Sequence, residues 1–164
     1  MSRFAINLEE LATERLICPK GTYPARIANA EVRQGNKDGR NWMMLNLTLA
    51  IKDEEVSKFL SQDAPKVFYS VGLNFDKETE AFNPQSPDFG ALMKTLDLNT
   101  ASATTAFQDG TEDAATMWEF NTLFFTNVAN TLAGYDLLIE VTHKANYQDK
   151  SRMDAVVSKV AKLD

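Results

Sequence analysis

Alternation of apolar and polar residues predicts five strands along the chain. The alternation is clearest in "WMMLNLTLAIKD", where every second side chain is apolar and is expected to face a core. In a half-buried strand the remaining positions face solvent, which gives each strand two chemically different faces. The predicted strands are 22–34 ("TYPARIANAEVRQ"), 42–53 ("WMMLNLTLAIKD"), 66–75 ("KVFYSVGLNF"), 135–144 ("YDLLIEVTHK") and 151–163 ("SRMDAVVSKVAKL").

Strands two and three are each predicted to carry one large aromatic on their polar face. Met43, Leu45, Leu47, Leu49 and Ile51 form the apolar face of strand two, which leaves Trp42 on the other side. In strand three the same alternation leaves Phe68 outside. Two alternatives stay open at this point. Trp42 also fits the core at one end of a barrel, since tryptophan is mostly buried, and a one-residue shift in register would exchange Phe68 with Tyr69.

Helical spacing predicts an N-terminal helical extension and a helical insertion. In residues 1–20, Asn7 and Glu10 fit a capping box ahead of apolar residues at helical spacing. In residues 84–134, Ser86-Pro87 starts one helix, 98–111 is predicted to be a loop, and 112–133 is predicted to be a long helix. The expected buried stripe of that long helix is Met117, Phe120, Phe124, Val128 and Leu132.

The order of these elements predicts the fold class. Three strands, two helices and two further strands indicate a mainly β protein with inserted helices between strands three and four. This is the order of a five-stranded OB-fold-like antiparallel barrel, here a single domain over 1–164, although other α+β folds share it. OB-folds bind through the exposed face of strands two and three and through the loops joining strands 1–2 and 4–5.

Composition places the protein in a broad class. The chain has 164 residues, of which 44% are hydrophobic and 24% are charged, as in soluble globular proteins. No apolar stretch approaches the roughly 20 residues of a membrane span, and the beginning of the sequence lacks the apolar core of a signal peptide. The single cysteine, Cys18, suits a reducing compartment. We therefore expect a cytoplasmic protein without a membrane partner.

Charge is distributed unevenly along the chain. Residues 1–52 contain eight Lys or Arg and five Asp or Glu, a balance of +3, whereas residues 53–134 contain four and thirteen, a balance of −9. The net charge of −6 is therefore the sum of a basic segment, 1–52, and a strongly acidic middle. An acidic average would argue against a polyanionic partner, but this average describes mainly the middle of the chain.

Two basic turns occupy the two loop positions that frame an OB-fold cleft. They are "RQGNKDGR" (33–40) and "KANYQDKSR" (144–152). Cations that follow a backbone and aromatics that stack on bases are typical of sequence-tolerant binding of single strands, although basic hairpin tips are often merely soluble turns. The candidate nucleic-acid-binding residues are Arg33, Lys37, Arg40, Trp42, Phe68, Lys144, Tyr147, Lys150 and Arg152.

No pattern in the sequence predicts a metal site, a cofactor or a catalytic site. "QGNKDG" resembles a calcium loop, but Gln34 and Leu45 stand where an EF-hand needs acids. One histidine, His143, and one cysteine are too few for a zinc site, and a structural role is expected for His143. Neither a phosphate-binding glycine loop nor a nucleophile elbow is present. We therefore expect a protein that is not an enzyme.

Three segments resemble small phage-encoded single-stranded DNA-binding proteins. They are "GTYPARIANAEV", "DGRNWMMLNLTLAI" and "AGYDLLIEVTHKANYQDKSRMDAVVSKV". The resemblance implies an OB-fold that protects single-stranded DNA during phage replication or recombination in the host cytoplasm. It points to Arg33, Lys37, Arg40 and Trp42 in one block and to Tyr147, Lys150 and Arg152 in the other. Many such proteins recruit replication or recombination proteins through an acidic tail. "SKVAKLD" has one acid, so the acidic segments 53–63 or 76–80 would have to serve instead.

A second hypothesis is a non-catalytic protein-interaction or structural assembly module. The predicted helix 112–133 has an apolar stripe that could form a dimer interface, and the net charge is −6. A homo-oligomer is compatible with either hypothesis. Sedimentation discriminates between them, because a tight oligomer indifferent to oligonucleotides favours the second.

Overall fold

A computed structural model describes residues 16–164, which form five strands and four helices. The helix predicted within 1–20 lies almost wholly outside the described residues. All five predicted strands are present, and helices stand between strands three and four as expected. In chain order the elements are β1 (Gly21–Lys37), β2 (Arg40–Ile51), α1 (Glu54–Leu60), β3 (Lys66–Leu73), α2 (Pro87–Thr95), α3 (Ala101–Phe107), α4 (Met117–Leu132), β4 (Asp136–Ala145) and β5 (Met153–Ala161).

The strands form one antiparallel sheet in the order β3-β2-β1-β4-β5. The two edge strands, β3 and β5, approach each other, with Cα atoms within 8 Å. No ladder of hydrogen bonds joins these edges in the described part of the chain, so the sheet curls towards a barrel without closing. The architecture is therefore mainly β, barrel-like and open at the seam between β3 and β5.

The first predicted turn is much shorter than the sequence suggested. Its "RQGNKDGR" segment is mostly strand, because Lys37 pairs with Arg40 and the turn itself consists of Asp38 and Gly39. Both turn residues have positive φ, 55° and 79°, as a tight two-residue hairpin turn requires. The Gly-Asn pair makes no turn, since Gly35 lies within β1 opposite Trp42. The result is a long β1–β2 hairpin.

A bulge explains why the apolar period of β1 is irregular. Ile27 and Val32 both face the core although they are five residues apart, which strict alternation forbids. The register shifts between Ile27 and Asn29, where β1 contains one extra residue. This bulge returns the alternate side chains after it, including Val32, to the core side. Opposite them, the apolar face of β2 is buried as predicted: Met43, Leu45, Leu47, Leu49 and Ile51.

Two short helices occupy segments that were not expected to be helical. In the acidic stretch after β2, Asp53 accepts a hydrogen bond from the amide of Val56 and caps α1. Within the predicted loop 98–111, Thr100 caps α3 in the same way through the amide of Ala103. Such caps satisfy backbone donors at the start of a helix, which permits helices too short to show an apolar period.

The long helix begins later and faces the core differently than predicted. Thr116 caps α4 by accepting a hydrogen bond from the amide of Glu119, so the helix starts at Met117 rather than at residue 112. Met117 is 46% exposed, and Phe120 and Phe124 are only half-buried. Two of the predicted stripe residues, Val128 and Leu132, are buried. The buried face is Asn121, Phe125, Val128, Ala129 and Leu132.

Two polar contacts fit this orientation of α4. Asn121 is buried and donates to the carbonyl oxygen of Glu80 at 2.7 Å, and Trp118 donates through Nε1 to Oε1 of Gln34 in β1 at 3.0 Å. In this orientation Phe125 packs edge-on against the rings of Phe75, Phe82 and Phe89. Within residues 16–164, no helix is long and apolar enough to cross a membrane.

Candidate nucleic-acid interface

Trp42 and Phe68 lie on the same side of the sheet, facing away from the core. We call this side of β1, β2 and β3 the outer face. Trp42 is 39% exposed and Phe68 is 69% exposed, whereas Tyr69, the alternative in β3, is half-buried and packs against the core. Both aromatics predicted to face outwards therefore do so, and the faces of β2 and β3 follow the alternation in the sequence.

The two aromatics mark opposite ends of the outer face. Phe68 pairs with Thr48 across β2 and β3, and Thr48 is six residues along β2 from Trp42. At about 3.4 Å per residue, the two side chains are separated by about 20 Å along the strand direction. Between them Ser70 donates to Asn46 at 3.0 Å, and Gly72 lies opposite Met44, which is partly exposed.

Trp42 lies against the backbone of Gly35. A methyl group added at Gly35 would meet three atoms of the indole at 2.7 to 2.9 Å, closer than such contacts occur. The φ of Gly35 is not in the left-handed region, so the glycine is required by the ring rather than by the backbone. One surface of the indole is therefore supported by β1, and the remaining part is open to solvent.

Cations surround Trp42 at the hairpin end of the outer face. Lys37, Arg40 and Lys77 line one surface depression with Trp42, of about 510 Å³, and the carboxylate of Asp38 lines it as well. Arg40 donates to the carbonyl oxygen of Phe75 at 3.4 Å. That bond holds the loop after β3 against the hairpin and brings Lys77 to the site. Lys37 and Arg40 were predicted here, but Lys77 was not.

The second basic turn reaches Phe68 through the open seam. A cleft of about 440 Å³ lies between β3 and β5, and we call it the seam cleft. Phe68, Lys66 and Arg152 all line it, together with Gln62 and Asp154. Arg152 therefore lies close to the aromatic at the far end of the outer face.

Internal hydrogen bonds fix the shape of the second turn, residues 146–152. The side-chain oxygen of Asn146 accepts from the amides of Gln148 and Asp149, and its backbone N–H donates to the carbonyl oxygen of Arg152. The hydroxyl and amide of Ser151 hold the pKa of Asp149 below its usual value, so Asp149 stays ionised. Arg152 also pairs with Asp154 at 3.3 Å. The turn is therefore held by its own hydrogen bonds and is less positive than its sequence suggests.

The remaining predicted residues are exposed but not gathered around either aromatic. Arg33 is on the outer face, and it pairs with Glu31 of the same strand at 3.2 Å. Lys144, Tyr147 and Lys150 are exposed, Tyr147 at 95%, and none of them lines the depression around Trp42 or the seam cleft. The structure thus brings Lys37 and Arg40 to Trp42, and Arg152 to Phe68.

Two lysines of the site were missed by the sequence analysis. Lys66 precedes Phe68 by two positions in β3, so the same alternation that placed Phe68 outside also places Lys66 there. Lys77 lies in the acidic segment 76–80, and no pattern in the sequence marks it as a site residue. Asp76 accepts hydrogen bonds from the amides of Glu78 and Thr79, which folds this loop back towards the hairpin.

Neither comparison with known proteins identifies a relative. The sequence matches no protein-family model and no curated protein. Among the residues that the structure describes, no group of three or more His, Cys, Asp or Glu side chains could hold a metal ion. His143 hydrogen-bonds through Nε2 to the carbonyl oxygen of Cys18 at 2.8 Å.

Proposed function

We propose that this protein binds single-stranded DNA, with little sequence preference, along the outer face. The observation that carries the proposal is the pair of outward aromatics, Trp42 and Phe68, each with cations beside it. A base stacked on an aromatic side chain contributes about 1–3 kcal/mol and is accepted whatever its identity. Phosphates on either side of the stacked bases would contact Lys37, Arg40 and Lys77 at one end and Lys66 and Arg152 at the other.

The charges favour one path for the bound strand. Glu31 lies in the middle of the outer face on β1, where it pairs with Arg33, and a second anion beside it would be repelled. Next to it, the outer side chains of β2 and β3 between Trp42 and Phe68 are uncharged and include Met44, Asn46 and Ser70. The proposed strand therefore follows β2 and β3 from Trp42 to Phe68, with its bases towards the sheet.

The proposal includes an OB-fold as the specific architecture. An OB-fold is a partly open Greek-key barrel of five strands. The order β3-β2-β1-β4-β5 would form a closed ring if β3 paired with β5, and these edges approach each other. The protein would then protect single-stranded DNA during replication or recombination, as the phage proteins it resembles do, and act without catalysis.

Intrinsic fluorescence tests the proposal directly. Trp118 is half-buried in α4, so a Trp118→Phe variant leaves Trp42 as the reporter for a titration with oligo-dT. We expect strong quenching by oligo-dT, a weak response to duplex DNA, and loss of affinity with added salt. About five cations line the two ends, so the slope of log affinity against log salt should not exceed about 3.5 in magnitude. A parallel titration with oligo-U compares DNA with RNA.

A flat titration, with no gel shift at low salt, would contradict the proposal. Binding to duplex as strong as to single strands would contradict it too, because stacking on Trp42 and Phe68 requires unpaired bases. The unmodified protein serves as a control for the Trp118→Phe variant, since a gel shift needs no fluorescence reporter.

A further inference from the structure

We propose that the start of α4 and the loop before it form a docking surface for a basic, amphipathic segment of another protein. The surface, which we call the helix patch, consists of Met117, Phe120 and Leu123 with Ala114 and Ala115. Met117 is 46% exposed and Leu123 is 37% exposed. A contiguous exposed apolar surface of this kind is typical of interaction sites. This inference does not rest on the proposed function.

The helix patch contains a shallow, open depression. A depression of about 370 Å³ is lined by Ala114, Ala115, Met117 and Phe120, with two threonines at its edge. The loop below it is held by Asn127, which donates to the carbonyl oxygens of Phe107 and Asp109 at 2.8 and 2.7 Å. A shallow apolar depression beside a helix suits an apolar side chain of a partner segment.

The charges around the helix patch select a basic partner. Asp109, Glu112, Asp113 and Glu119 surround it in sequence, and none of them forms a salt bridge with a described residue. No Lys or Arg occurs between Lys94 and Lys144, so no cationic side chain of this region offsets these acids. Lysines or arginines next to apolar residues in a partner would complement these neighbouring acids, because complementary charges favour association.

A second copy of this chain fits the helix patch poorly. A two-fold interface uses the same surface on both subunits, so it would bring the acids of one copy towards those of the other. The charge pattern therefore favours a different, basic protein over the dimer interface that the sequence analysis considered for this helix.

The helix patch and the outer face lie on opposite sides of the β1–β2 hairpin. Trp118 of α4 donates to Gln34, whose partner across the strands, Met43, is in the core. Trp42 extends from the other side. A partner on the helix patch would therefore leave the outer face open. In the two acidic segments considered earlier, Asp53 caps α1 and Asp76 accepts from the amide of Glu78, whereas Glu54, Glu55 and Glu78 are exposed.

A labelled peptide provides the test. The probe is an 18-residue peptide of leucine and lysine with leucines at helical spacing, and the control is a peptide of the same composition in scrambled order. By fluorescence anisotropy we expect the amphipathic peptide to bind several-fold more tightly. A Met117→Ser/Leu123→Ser variant should weaken that binding by about tenfold. A Glu112→Gln/Asp113→Asn variant should reduce its salt dependence. Circular dichroism checks that both variants fold.

Phe59→Ser is the matched control. Phe59 is 49% exposed on α1, close to Glu55, so it tests whether any exposed apolar residue beside an acid has the same effect. Peptide binding should not change in this variant. Equal affinity for both peptides, or no effect of the Met117→Ser/Leu123→Ser change, would overturn the proposal. A dimer in sedimentation that this double change dissociates would overturn it as well, because a second copy would then cover the helix patch.

Discussion

At the scale of single residues, Trp42 and Gly35 form one unit. The indole has its position because Gly35 has no side chain, and its open part is what remains for a ligand. Sequence alone predicts that Trp42 faces outwards. It does not predict the support from Gly35, which depends on the register of the hairpin. That register follows from a turn of two residues, whereas the sequence suggested a longer one.

Replacing Trp42 by Ala should weaken binding of oligo-dT by about 5- to 150-fold, which corresponds to one stacked base. The free energy of unfolding should change by less than about 1 kcal/mol, because the side chain is on the outer face and not in the core. Anisotropy titrations and urea denaturation measure the two effects. A large loss of stability would instead assign Trp42 to the core and remove it from the site.

Replacing Gly35 by Ala should also weaken binding, although Gly35 need not contact the ligand. The new methyl group would meet the indole at 2.7 Å, so the ring must move off β1. Gly72→Ala is the matched control, since Gly72 lies on the same outer face and a methyl group there meets nothing within 4 Å. Near-ultraviolet circular dichroism should change for Gly35→Ala only. Equal effects of the two substitutions would show that Trp42 does not depend on Gly35.

At the scale of elements, most of the sheet could be predicted and the helices only partly. The strands can be recognised in the sequence because each has one apolar and one polar face. Short helices such as α1 and α3 have too few turns to show a period, and they depend on single caps, Asp53 and Thr100. The buried face of α4 was predicted incorrectly, because a search for apolar stripes does not detect the buried polar contact of Asn121.

The residues of the candidate site, like the elements of the fold, could be predicted only in part. Trp42 and Phe68 follow from alternation within one strand each, so the sequence predicts them. Lys77 is brought to Trp42 only by the fold of the loop after β3, and no local pattern marks it. Conversely, Arg33 pairs with Glu31 and Arg152 pairs with Asp154. Counting Lys and Arg residues in the sequence therefore overstates the positive charge that a ligand would meet.

Asp136 joins three parts of the sheet, and its loss should make stability less dependent on pH. It pairs with Arg26 of β1 at 3.0 Å and with Lys52 after β2 at 3.2 Å. The hydrogen bond from Arg26 is the main cause of the lowered pKa of Asp136. Because the folded pKa lies below the unfolded value of about 3.9, this stabilisation is complete above that pH. It is lost as the pH falls through the folded pKa.

Asp136→Asn should therefore lower the free energy of unfolding at pH 7 by no more than about 1 kcal/mol, since the pair is partly exposed. The two proteins should converge in stability at acidic pH, measured by urea denaturation across a pH series. Asp97→Asn is the control, because the pair of Asp97 with Lys162 is much more exposed and should contribute less. A difference that persists unchanged into acid would contradict the role of the Asp136 carboxylate.

At the scale of the whole molecule, the separation of Trp42 and Phe68 sets a minimum length for the ligand. The two ends of the outer face are about 20 Å apart. A stacked strand advances about 3.4 Å per nucleotide, so about seven nucleotides reach both aromatics, and an extended strand needs fewer. The affinity for oligo-dT should therefore rise steeply between about four and seven nucleotides.

Titrations with oligo-dT of increasing length check this expectation, and Trp42→Ala should remove the steep rise by leaving one aromatic. A smooth increase with length in both proteins would indicate that phosphate contacts alone account for binding. Such a result would be compatible with the binding of single strands, but it would exclude a strand that stacks on Trp42 and Phe68 at the same time.

The hairpin that separates the two surfaces also connects them. Gly35 supports Trp42 on one side of β1, and its neighbour Gln34 accepts hydrogen bonds from Trp118 and Thr122 of α4 on the other. A ligand that shifts the backbone at Gly35 therefore displaces the acceptor of α4 one residue away. If such a shift couples the two surfaces, reciprocity requires that each occupant change the affinity of the other by the same factor.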